Sequence, residues 1–244
     1  MKQNSADFNP GNDDVFRRIA TRYDFLCDIF SFGIHRLWKR AMARTIAQNN
    51  TGIVLDIASG TGDIALRLTS KLPEGSTIIA SDICQPMLDI AASKANTMTG
   101  PRANLDFQIL DAHNLSKIPS ASVDVYAISF AMKICERDLL LKEAVRVLRP
   151  GGRFYCLEAS QIPLGWLHKT YLKYMEWCIP FIARIATGGD RSAHDYLLRG
   201  IHDMPDQLTF CAELETYGFK DVSYNNFSLG IVALHCAVKP KLGT

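Results

Sequence analysis

The sequence predicts an α/β fold, a mainly parallel sheet with helices on both faces, and three observations predict it. Short apolar runs alternate with segments of helical periodicity across residues 53–158, the order in which crossover helices come to cover a parallel sheet. The first run ends in a glycine turn, Ser59-Gly60-Thr61-Gly62, and leads straight into a helix. The second and third runs end in acids, Asp82 and Asp111.

Ahead of this core, residues 1–14 are polar, with little to bury, and are expected to be a disordered tail. In residues 15–47, Phe16, Ile19, Tyr23, Leu26 and Phe30 recur at helical spacing, and a break at Ser31–Gly33 precedes Leu37, Trp38 and Met42; two helices are expected. Strands follow at Ile53–Ala58, Thr77–Asp82, Leu105–Leu110, Val123–Ser129 and Arg153–Glu158, with helices through Ile64–Leu68, Pro86–Asn96 and Asp138–Leu148, the last stopped by Pro150-Gly151-Gly152. Residues 162–186 break the alternation with a stripe of Leu164, Leu167, Tyr171, Met175, Cys178, Ile182 and Ile185, widened by Trp166, Tyr174, Trp177 and Phe181, in which Pro180 is expected to kink or divide the helix. A helix at 207–217 and two closing strands, 221–227 and 231–238, make seven strands in all. One domain is expected over 15–244, divided into N-terminal helices (15–47), a ligand-binding half (48–158), a helical cap (162–203) and a C-terminal helix and strands (204–244).

Composition excludes several classes. A net charge of +2 lacks the basic stripe of a nucleic-acid binder. The seven cysteines stand singly, without a CxxC pair, so neither a zinc site nor a disulfide framework is expected. The N-terminus lacks the basic-then-apolar pattern of a signal peptide, and no apolar run reaches the ~20 residues of a membrane span. A cytoplasmic protein is expected. The 164–185 stripe reads as core packing, as the wall of a ligand pocket, as a dimer contact, or as a peripheral membrane face whose polar side carries Lys169, Lys173 and Arg184 against Glu176.

The glycine turn lets a ligand approach the backbone closely. Its spacing is not GxGxxG, and no Walker lysine follows, so phosphate is not its evident guest. Asp82, about 20 residues on, stands where an acid accepts both hydroxyls of an adenosine ribose; by itself this suits NAD equally. Asp111-Ala112 ends the third strand beside the same crevice, where the carboxylate can accept from an adenine amino group, and the fourth strand ends at Ser129.

Over roughly 53–158 this set resembles the Rossmann-like class I S-adenosylmethionine methyltransferases, which implies a mainly parallel seven-stranded sheet with an antiparallel C-terminal hairpin and S-adenosylmethionine as cofactor. Beyond it, Val15-Phe16-x-x-Ile19-Ala20-x-x-Tyr23-Asp24, Ser31-Phe32-Gly33-Ile34-His35-Arg36-Leu37-Trp38-Lys39-Arg40, Tyr196-Leu197-x-x-x-Ile201, Pro205-Asp206-Gln207 and Gly230-Ile231-Val232-Ala233-Leu234-His235 resemble the UbiE-type quinone-biosynthesis C-methyltransferases. The resemblance implies methylation of a ring carbon of a prenylated benzoquinol or naphthoquinol. Thr61, Asp82, Asp111, Ala112 and Ser129 match positions that contact the methyl donor, and Ser59, Gly60, Gly62, Ile83 and Met87 complete the expected cofactor-binding set.

One segment departs from that family. Where it usually reads Phe-Gly-(Leu or Ile)-Arg-Asn, this chain reads Phe130-Ala131-Met132-Lys133-Ile134, and Ala159 stands where Phe is usual. Lysine keeps a cation but loses the planar guanidinium fork. The acceptor is expected to meet Tyr23, Trp38, Phe130, Met132, Ile134, Tyr171 and Met175. Lys133 is expected to steady a phenolate, with Tyr196 or His202 managing the proton and Asp63 orienting a water or the donor's amino group. The altered segment leaves two rivals open: a specialised-metabolism methyltransferase acting on a smaller aromatic or heterocyclic acceptor, and a donor-binding, non-catalytic member of a biosynthetic complex.

Overall fold

The computed structural model describes residues 14–49, 52–100, 103–187 and 204–241. Seven strands form one sheet: β1 (Ile53–Ile57), β2 (Thr77–Asp82), β3 (Asn104–Ile109), β4 (Val123–Ser129), β5 (Leu148–Ala159), β6 (Lys220–Phe227) and β7 (Val232–Val238), in the order β3-β2-β1-β4-β5-β7-β6. Strands β3 to β5 pair in parallel, and β7 runs antiparallel between β5 and β6. The order reverses between β1 and β4, and crevices at the carboxyl ends of such strands are where α/β sheets bind ligands.

Alternation along the central strands separates two cores. Leu55, Tyr126 and Phe154 point to one face, where Leu140, Leu141, Ala144, Phe210, Leu214 and Phe219 cover them. Those covering residues come from α6 (Arg137–Val147), α8 (Gln207–Thr216) and the turn after α8. Their neighbours Val54, Val125 and Tyr155 point to the other face, under Met42, Ala43 and Ile46 of α3 (His35–Asn49) and Ile64, Ala65 and Leu68 of α4 (Asp63–Thr69). Period-two alternation in the strands thus meets period-3.6 stripes in the helices. The remaining helices are α1 (Asp14–Ile19), α2 (Tyr23–Ser31), α5 (Gln85–Asn96) and α7 (Gly165–Thr187). None of the described helices is long and apolar enough to cross a membrane.

Two expectations need correction. Strand β5 begins at Leu148, ahead of the Pro150-Gly151-Gly152 stop. Gly151 takes φ +82°, its N–H donates to the Lys239 carbonyl, and a Cβ on Gly152 would lie 2.8 Å from the Arg149 carbonyl; the strand bends there and continues. Of the kink or division expected at Pro180, division does not occur: the helix runs unbroken over 165–187, since a proline forfeits one backbone hydrogen bond without ending every helix that contains it.

Candidate active site

The carboxyl ends of β1 and β4, side by side in the sheet, both stop in a left-handed residue: Ala58 at φ 50° and Phe130 at φ 57°. Non-glycine residues hold that conformation only where their surroundings impose it. Here the chain leaves each strand sharply; Phe130 N–H donates to the Leu157 carbonyl (2.8 Å) and Ser59 N–H to the Ser81 carbonyl (2.9 Å). Gly62 caps α4 at φ +83°, where a Cβ would lie 2.8 Å from Ala91 Cβ in α5, so the turn and the close helix approach both require glycine.

Over these strand ends lies a cavity of about 510 Å³. Its floor holds Gly60, Asp82, Ile83, Met87, Asp111, Ala112 and Ser129, and its walls are Tyr23, Trp38, Phe130, Lys133, Ile134, Tyr171 and Met175. Five expected site residues do not line the cavity: Ser59, Thr61 and Gly62 form the turn behind Gly60, Asp63 opens α4, and Met132 is fully buried in the core, turned inward by the 3-10 turn Met132–Ile134. Tyr196 and His202 lie outside the described residues.

Asp82 accepts one N–H at each oxygen, Gly60 at 2.8 Å and Cys84 at 2.9 Å. Burial raises its carboxyl above the usual range, and the N–H groups of Cys84, Gly60 and Ile83 oppose that shift. An ionised carboxylate with one donor on each oxygen keeps lone pairs for two further donors. Asp111 is oriented by His113, whose Nδ1 lies 2.8 Å from its Oδ1 while the Nε2 accepts from Glu136 N–H at 2.9 Å. The second bond places the proton of a neutral ring on Nδ1. Ser59 Oγ is buried without a hydrogen-bond partner among the described residues, and a Cβ on Gly60 would meet nothing within 4 Å. A diol acceptor, an amine acceptor, a spare hydroxyl and room beside the glycine suit an adenosyl group with an amino-acid tail.

The cations are less free than the sequence suggests. Lys133 is 4% exposed and Glu158 of β5 fully buried. Lys133 Nζ donates to Glu158 Oε1 at 2.9 Å and to the Phe130 carbonyl at 2.6 Å, which leaves one N–H. Asp63 does not line the cavity; it pairs with Lys39 (2.8 Å) and Arg67 (3.6 Å). Burial pushes its carboxyl up, and Lys39, Arg67 and Lys94 outweigh this and hold it below the usual range. His35 lines the cavity beside Lys39, and burial and that cation lower its pKa against the opposing pull of Asp63 and Asp28. The Tyr23 phenol is raised well above its usual value, first by Cys27 and then by burial.

Sequence reasoning missed Glu158 as the partner of Lys133, His113, Cys27 and the pair His35 and Lys39. Only the last had a usable signal, two polar residues at i, i+4 on the apolar face of α3.

A model of the ubiE/COQ5 methyltransferase family matches residues 3–239. The chain belongs to this family. It is 40% identical over 229 residues to proteins named ubiquinone/menaquinone biosynthesis C-methyltransferase UbiE from Brucella anthropi, with 93% of this chain and 86% of the relative covered, and from Rickettsia bellii, with 92% and 91% covered. Among solved structures, the fold is similar to the CurJ carbon methyltransferase (TM-score 0.58, 17% identity, covering 79% of this chain and 50% of that one). It is also similar to phosphoethanolamine N-methyltransferase 2 of Haemonchus contortus with S-adenosylmethionine (TM-score 0.57, 17% identity, covering 84% and 52%). This UbiE/COQ5 member is an S-adenosylmethionine-dependent methyltransferase with the Rossmann-like sheet of such enzymes.

Proposed function

We propose that this methyltransferase C-methylates a ring carbon of a prenylated benzoquinol or naphthoquinol, the chemistry named for its relatives. The observation that carries the reading is the continuity of one cavity, from the acids Asp82 and Asp111 to the aromatic and apolar wall of Trp38, Phe130, Tyr171 and Met175. Its volume lies in the range of small-molecule sites. When bound, S-adenosylmethionine supplies an electrophilic methyl group on a sulfonium.

Asp82 holds the ribose hydroxyls and Asp111 the adenine amino group, with Ile83, Met87 and Ala112 against the base. Ser59, Gly60, Thr61, Gly62 and Ser129 form the cradle for the remainder. Tyr23, Trp38, Phe130, Ile134, Tyr171 and Met175 orient the acceptor ring, and positioning of this kind supplies much of the acceleration in a transfer between two bound molecules. The remaining N–H of Lys133 meets the acceptor oxygen and steadies the phenolate, whose charge makes the ring carbon nucleophilic. Two of the Lys133 contacts are already taken, by Glu158 and by the Phe130 carbonyl, so the proton acceptor is assigned to other residues. Tyr196 and His202 stay as proposed proton acceptors. The acceptor's prenyl tail brings the reaction to a membrane surface.

A second reading, a smaller aromatic acceptor, is favoured by Lys133 and Ile134 standing where the family usually has Arg and Asn. Incubation with radiolabelled S-adenosylmethionine and a reduced, demethylated short-tail quinol tests both. Label is expected in the organic phase, and Lys133→Ala is expected to lower kcat about tenfold or more. Donor binding without label transfer would move the assignment to the smaller acceptor.

A further inference from the structure

The cavity reaches the surface between the turn after α2 and helix α7, where Phe32, Ile34 and Tyr174 line it and are nonetheless exposed, Phe32 to 78%. The outer face of α7 continues that rim. Trp166 and Trp177 are 70% and 78% exposed and stand on one stripe, roughly three turns apart, with exposed Lys169 and Lys173 between them. Neither lysine has an ion pair or hydrogen bond among the described residues, and Glu176 is the only acid among the described side chains of the helix. The inner face of the same helix gives Tyr171 and Met175 to the cavity.

Indoles alternating with unpaired lysines on one face fit a particular surroundings. Tryptophan settles at the headgroup level of a bilayer, and lysine lays its stem along apolar matter while its ammonium reaches phosphate. The core of a protein–protein interface is depleted in lysine, which argues against a second copy of the chain on this face. We infer that the face docks on an acidic bilayer, with Phe32, Trp166 and Trp177 in the headgroup layer and Lys169 and Lys173 on lipid phosphates. The mouth of the cavity then opens toward the lipid, and a prenylated acceptor enters without its tail crossing water. This last step rests on the quinol reading; the docking does not.

Co-sedimentation of the full chain with vesicles of phosphatidylglycerol or of phosphatidylcholine tests the surface. The wild type is expected to sediment with the anionic vesicles and to lose this in high salt. Trp166→Ser with Trp177→Ser is expected to weaken vesicle binding about tenfold, and Lys169→Glu with Lys173→Glu to remove the preference for anionic lipid. Unchanged circular dichroism and donor affinity show that the variants are folded. The proposal is overturned if the wild type stays in the supernatant, if the variants sediment equally, or if the wild type is a dimer that the tryptophan variant converts to a monomer. Methylation of a tail-less quinol separates the two readings. If it proceeds while vesicles go unbound, the surface alone fails; if vesicles bind and no quinol is methylated, the acceptor assignment alone fails.

Discussion

Two buried titratable groups on opposite faces of the sheet pull stability in opposite directions. Asp56, fully buried in β1, accepts from Ala65 N–H at 3.1 Å, and its Oδ1 has no partner among the described residues. Burial pushes its carboxyl from 3.8 up to about 7. A pKa raised on folding contributes stability that is complete below pH 3.8 and lost as the pH rises to about 7. His235 in β7 is pushed down from 6.5 to about 4 by burial, with Nε2 3.3 Å from the Gln207 carbonyl. A lowered pKa contributes stability that is complete above pH 6.5 and lost as the pH falls to about 4. Asp56→Asn is therefore expected to steepen the rise of the urea midpoint with pH across this window, and His235→Gln to flatten or invert it. Parallel profiles for both variants and the wild type would refute the assignment. The Lys133–Glu158 pair makes a sharper demand. Lys133→Met strands a buried carboxylate and is expected to cost about 3–5 kcal/mol in chemical denaturation. Adding Glu158→Gln should restore part of that loss, and additive losses in the double variant would show that the two are not coupled.

At the scale of elements, α2 is tied to the glycine turn by one residue. Asp24 accepts the Thr61 hydroxyl at 2.6 Å and pairs with Lys94 of α5, which also donates to the Thr61 carbonyl at 3.2 Å. The helix that supplies Tyr23 and Cys27 to the cavity is thus fastened to the glycine turn at the cavity floor. Asp24→Ala is expected to speed amide exchange across Tyr23–Ser31 and to weaken donor binding about tenfold, or 1.4 kcal/mol, while β1 and β4 keep their protection. Unchanged exchange in α2 would mean that packing alone holds the helix. Gly62→Ala, strained in backbone and crowded by Ala91, is expected to cost about 1–3 kcal/mol by the same denaturation measurement. These ties also show where a sequence stops being legible. β2 and β4 could be read to their end residues, because apolar runs bounded by turns are local signals. The floor acids were legible because each closes an apolar run, Asp82 as the last residue of β2 and Asp111 two residues past β3. Glu158 was not, because its partner lies 25 residues away, nor was Asp24, because Lys94 lies 70 away. Met132 read as a wall residue because nothing in sequence reveals which way a 3-10 turn points its side chains.

At the scale of the molecule, the sheet divides the labour. β1 to β4 carry the turn, the acids and both left-handed strand ends, whereas β5 brings Glu158 beneath Lys133, and the N-terminal helices with α7 close the space above. The mainly parallel sheet was foreshadowed by the alternation of elements, since crossover helices come to cover both faces of such a sheet. The cavity wall was legible only as one alternative among several, because it depends on helices whose apolar stripes read equally well as core. The measurement that bears most directly on this arrangement is carbon NMR of the product formed from a demethylated quinol and S-adenosylmethionine labelled with carbon-13 in its methyl group. A methyl signal bonded to a ring carbon is the result expected of a cavity that sets a phenolate ring in line with the donor. A methoxy signal, or no product from protein that demonstrably binds the donor, would contradict it.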